Sequence, residues 1–129
     1  MVQGPLALNF SRRKWGLLPR IENGDFSCSA KFNYTRLHLW IDADVGVQGS
    51  PDHVFVKLYT HGCQEQNAGY LLNGGLRDLY KELERFSYQE DMAVHFVTAR
   101  ELVNVVKSIE ADVELTDLIA AKNFRYIRN

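Results

Sequence analysis

Cysteine is scarce in this chain: Cys28 and Cys63 are the only two in 129 residues. That excludes a disulfide scaffold, and at this length a hydrophobic core suffices without one. No apolar run approaches the ~18 residues that a membrane helix needs. Charge of one sign is also missing. Fifteen Lys and Arg stand against sixteen Asp and Glu, a net of −1, so a highly basic nucleic-acid binder is excluded and the field of the whole molecule selects no partner. Nine glycines and three prolines are too few for a collagen or a low-complexity chain. What is present is ordinary for a globular protein: 46% hydrophobic and 12% aromatic residues, which argues against disorder. The length fits a single domain over 1–129. The first ten residues lack the charged start and the apolar run of ~7–15 residues that mark a secretory signal. For a complete chain this implies the cytoplasm and reduced cysteines.

The charge is uneven along the chain. Residues 1–36 hold six basic and two acidic residues, and the remainder holds nine basic and fourteen acidic. A cationic front segment can meet an anionic ligand. It can equally rest on the acidic half of the same molecule.

The periodicity predicts an α/β fold. Leu6 to Phe10 reads as a strand, followed by a long loop over 11–33 that contains Gly16, Pro19 and the turn-like Asn23-Gly24-Asp25. From residue 34 onward, strands and helices alternate. Thr35 can cap a helix carrying Leu37, Trp40 and Ile41. Val54 to Tyr59 is almost continuously apolar, as in a strand covered on both faces of a parallel sheet. Leu76, Leu79, Tyr80, Leu83 and Phe86 make a helical stripe. Ala93 to Val97 reads as another strand. Thr98-Ala99-Arg100-Glu101 is a capping box that opens a helix, and Phe124 to Ile127 reads as a last edge strand. Strands alternating with helices predict a mainly parallel sheet, resembling part of a (β/α) barrel.

In such folds the working residues lie at the carboxyl ends of strands. His61 follows Val54–Tyr59 directly, and an imidazole can pass a proton near neutral pH. A hydrogen-bonded turn histidine reads equally well there. Glu65, on the polar loop after it, is the better placed carboxylate, either catalytic or simply solvated. Cys63 beside His61 invites a thiolate nucleophile, but its spacing to His61 and His95 matches no known metal-ligand pattern. His38 and His53 read as surface or boundary residues. Arg12, Arg13 and Trp15, with Arg20 further on, combine cations with an aromatic ring. They could hold phosphate, an acidic sugar or a nucleic-acid backbone, with Trp15 stacking on a sugar or base, though one short cluster without a binding module points only weakly to nucleic acid. Asn73-Gly74-Gly75 lacks the lysine and spacing of a phosphate loop.

Four segments carry a family resemblance: Val2 to Asn9, Leu18 to Gly24, Val54 to Gly62 and His95 to Leu102. Together they resemble the carboxyl-terminal portion of bacterial polysaccharide-deacetylase-like proteins, the NodB-homology group of glycoside hydrolases and deacetylases. The resemblance implies removal of N-acetyl groups from saccharide polymers, a divalent metal such as zinc, and His61 as the acid that protonates the leaving amine. The family pattern has an aspartate after this histidine, where Gly62 stands here. Its histidine pair and paired aspartates, the metal ligands, are missing. The resemblance therefore implies no metal site and no cofactor in this chain alone, and a chain inactive until an upstream half joins it. The alternative from the residues is a noncatalytic saccharide-binding or self-associating module, using the Arg12–Trp15 loop and an exposed sheet edge. A small free-standing enzyme using His61 and Cys63 is a third reading.

Overall fold

The computed structural model describes residues 3–61, 64–113 and 117–125, apart from the side chains of Arg12 and Lys14. Two strands, β1 (Leu6–Lys14) and β2 (Leu18–Asn23), come first. Among the described residues five α-helices follow: α1 (Tyr34–Asp42), α2 (Glu65–Tyr70), α3 (Leu76–Gln89), α4 (Ala99–Glu110) and α5 (Leu118–Lys122). The chain gathers into two compact units, one of residues 3–45 with 54–94, the other of 46–53 with 95–129.

The predicted mainly parallel sheet of a partial barrel is overturned. Among the described residues the sheet has two strands, β1 and β2, and they are antiparallel. Residues 11–23 of the predicted loop thus belong to a hairpin, with β2 as its second arm. Leu6 pairs with Asn23, Leu8 with Ile21 and Asn9 with Arg20, and the register shifts before Arg13 meets Pro19. Pro19, with no N–H to give, is tolerated because each strand of a two-stranded sheet is an edge and the ladder is irregular there. The turn is made with positive φ at Trp15 (53°) and Gly16 (75°), so Pro19 and Gly16, which read as loop, belong to a hairpin.

Val54–Leu58, the predicted buried strand, has no regular strand structure. One parallel bridge, Asp25 to Tyr59, marks its end, closed by Phe26 N to Tyr59 O at 2.8 Å and Tyr59 N to Gly24 O at 2.9 Å. A Cβ on Gly24 would lie 2.2 Å from Lys57 O, so only glycine lets the two backbones approach this closely. Val56 and Leu58 pack into the core while Lys57 and Tyr59 are exposed, so the segment is covered on one side, not two. Ala93–Val97 likewise forms no strand. Phe124 and Arg125 are not in a strand, and Tyr126 and Ile127 lie outside the described residues.

The helices stand closer to expectation. Asn33, rather than Thr35, caps α1, its side chain accepting from Arg36 N at 3.0 Å. Leu37 and Trp40 of α1 join Phe86 of α3 in one buried cluster, and Phe26, Leu71 and Leu79 form a second, with Phe32, Leu58 and Leu83 packed against both. Between α2 and α3, Gly74 takes φ 124°, and the glycine pair makes a kink there. The capping box of α4 is complete: Glu101 N donates to Thr98 Oγ1 at 3.3 Å, and Thr98 N donates to Glu101 Oε2 at 2.6 Å. In that second unit Val105, Ser108 and Ala121 are buried, and Asn104 Nδ2 ties α4 to α5 by donating to Lys122 O at 2.7 Å.

Candidate functional site

Beneath the hairpin lies a buried polar cluster. Glu22 of β2 and Arg36 of α1 are 5% and 1% exposed, with Arg36 Nη2 2.7 Å from Glu22 Oε1. Arg36 Nε donates to the same oxygen at 2.8 Å, and Asn9 Nδ2 donates to Glu22 Oε2 at 3.1 Å. Trp40 Nε1 donates to Glu22 Oε1 at 3.1 Å and to Asn23 O at 3.0 Å. The guanidinium also gives hydrogen bonds to the carbonyls of Ala30, Lys31, Asn23 and Asp25, and it lies 4.9 Å from the Trp40 ring centre. Burial pushes the Glu22 carboxyl up. Hydrogen bonds from Arg36 and Asn9, the Arg36 charge and the Trp40 N–H outweigh that and hold it below its ordinary value. Every donor and acceptor of the pair has a use, so the cluster is a rigid structural clamp.

The clamp turns the hairpin inside out. Asn9 and Glu22 face inward, so the alternating residues of β1 face outward. Leu6, Leu8 and Phe10, with Ile21 opposite Leu8, are between 53% and 68% exposed. At the tip, Trp15 is 81% exposed, and Leu17 and Leu18 are exposed as well. Exposed apolar residues that continue along one sheet face and on to its tip mark a surface made for contact.

The predicted basic cluster lies along the same hairpin. Arg13 is exposed and donates from Nε to Phe10 O at 3.3 Å. Arg20 is exposed on β2, and the Arg12 side chain lies outside the described residues.

His61 follows the Tyr59 bridge. It is exposed, with its ring edge-on to Tyr59 at 6.0 Å. Its carbonyl accepts from Asn67 Nδ2 at 3.1 Å, and buried Asn67 also takes the Cys28 N–H on its Oδ1 at 3.1 Å. The backbone at His61 is therefore pinned while the imidazole stands in solvent. On the bridged residue, Asp25 Oδ2 accepts from Ser27 Oγ at 3.1 Å, while Oδ1 is buried without a donor among the described residues. Glu65 is exposed in the first turn of α2, and no hydrogen bond joins it to the His61 ring among the described residues. Cys63 lies outside them.

No group of three or more His, Cys, Asp or Glu side chains that could hold a metal occurs among the described residues. None of the helices there is long and apolar enough to cross a membrane.

The second unit has a feature that the sequence does not announce. Gln48, Gly49, Ser50, His53, Ile109, Asp112 and Val113 line an open cleft of about 400 Å³. Ser50 Oγ and His53 Nδ1 are 2.7 Å apart across a turn. His53, read from sequence as a boundary residue, is half-buried there; its Ser-x-x-His spacing is the one signal that could have drawn attention to it. His61 and Glu65 do not line this cleft. Compared with protein-family models, with curated proteins and with solved structures, the chain matches none.

Proposed function

We propose that the chain is an association module of the polysaccharide-deacetylase-like kind. It takes part in removing N-acetyl groups from a saccharide polymer only together with a polypeptide that carries the divalent-metal site, and it is inactive alone. The observation that carries the reading is the inverted hairpin, whose polar residues are clamped inward and whose apolar residues face solvent. Such a face is where a protein joins another. The His61 loop supports the second half of the reading. Its backbone is fixed and its imidazole exposed, which suits a group that gives a proton to a departing amine once substrate is seated. Arg13, Arg20 and Trp15 offer guanidinium groups and a ring to an acidic saccharide.

The test is acetate release from N-acetylglucosamine oligomers. The isolated chain, supplied with zinc, is expected to release none. The complex with its metal-bearing partner is expected to release acetate, and His61→Ala in that complex to slow turnover by a factor of ~10²–10⁴. Acetate release by the isolated chain, or unchanged turnover in the variant complex, contradicts the proposal.

A further inference from the structure

We infer that the outer face of the β1–β2 hairpin is a two-fold interface, packed against the same face of a second copy of this chain. The inference rests on reading the hairpin as an association surface; it puts a copy on that face and leaves the metal-bearing polypeptide of the proposed function to join elsewhere. Three observations point to a copy rather than to another partner.

The first is the chemistry of the face. Its outward side chains are Leu6, Leu8, Phe10 and Ile21, with no charge among them. These described side chains offer a partner no charge to pair with, whereas an identical apolar face matches them. Two sheets packed face to face in this way interdigitate their side chains, and a two-fold contact requires the surface to be self-complementary.

The second is area. The exposed fractions of those four residues, with Leu17 and Leu18 at the tip, amount to on the order of 700 Å² per copy. A standard stable interface takes roughly 800 Å² from each partner, and a lone monomer rarely leaves more than a few hundred in one patch.

The third is where the apolar residues lie. A hairpin built to enter a lipid surface needs its apolar residues only at the tip. Here they run back to Leu6, eight residues and roughly 27 Å of strand from Lys14. The exposed cation Arg13 sits towards the tip, and Arg20, opposite inward-facing Asn9, lies on the other face of the ladder. A two-fold axis across the middle of the face sends the two tips to opposite ends, so the like charges do not meet.

The test uses the full chain in sedimentation equilibrium over a dilution series. The expected mass at tens of micromolar is twice the 14.8 kDa of one chain. The double variant Leu8→Lys with Ile21→Lys changes two solvent-facing side chains. Its dimer dissociation constant is expected to rise at least ~100-fold, with an unchanged far-ultraviolet spectrum. A wild-type chain that stays monomeric at ~100 μM overturns the inference without recourse to any variant, and so does a dimer that the double variant leaves intact. Vesicles of phosphatidylserine and phosphatidylcholine are the control for the lipid alternative. A monomer that binds them through these residues overturns the second copy as occupant but leaves the hairpin an association surface. A monomer that neither self-associates nor binds vesicles removes the copy, and the partner assay above then decides the broader reading.

Discussion

Glu22 is the residue on which the hairpin's orientation turns. Its carboxylate meets three side chains from two other elements, Asn9, Arg36 and Trp40. Removing its charge leaves the Arg36 guanidinium buried without its anion, and Glu22→Gln is expected to cost about 3–5 kcal/mol in urea unfolding. The pH dependence follows from the lowered carboxyl value. A depressed carboxylate contributes its stability fully above the unfolded value and loses it as pH falls through the folded one. The stability gap between wild type and Glu22→Gln should therefore hold from pH 7 down to about 4.5 and shrink below that. A gap independent of pH down to 3 contradicts the assignment. None of this was legible in the sequence. A single glutamate inside an irregular stretch looks like any surface charge, and its partner Arg36 lies fourteen residues away. The exposed His61 was legible as a candidate because it follows an apolar run. Its pinning by Asn67 was not, since nothing local links the two.

Among the elements, those readable from local rules formed as read. The α3 stripe and the α4 capping box are patterns within a dozen residues, and both stand. Thr98→Ala removes the acceptor for Glu101 N and is expected to cost about 1 kcal/mol of unfolding free energy; no change in the unfolding midpoint would show that the box contributes nothing. What failed were the elements whose form depends on neighbours. Val54–Tyr59 has the composition of a buried strand, but a strand needs partners, and here one bridge at Tyr59 is all the parallel pairing among the described residues. Its alternate residues pack on α1 and α3 neighbours instead. The hairpin was legible in its first arm, where Leu6 to Phe10 reads as a strand and β1 forms; Pro19 and Gly16 argued against regular structure in the second. The polar clamp sets which face of β1 turns inward, and a period of two cannot say which face is the inner one.

At the scale of the whole molecule, the chain forms two compact units, and the first of them leaves a large apolar face uncovered. The claim that this face exists to be covered can be read most directly from methyl resonances through a dilution series. The account predicts that the methyl signals of Leu6, Leu8 and Ile21 move with concentration, while those of buried Leu37 and Leu79 stay fixed. Hairpin methyl signals that hold constant from micromolar to millimolar chain would contradict it.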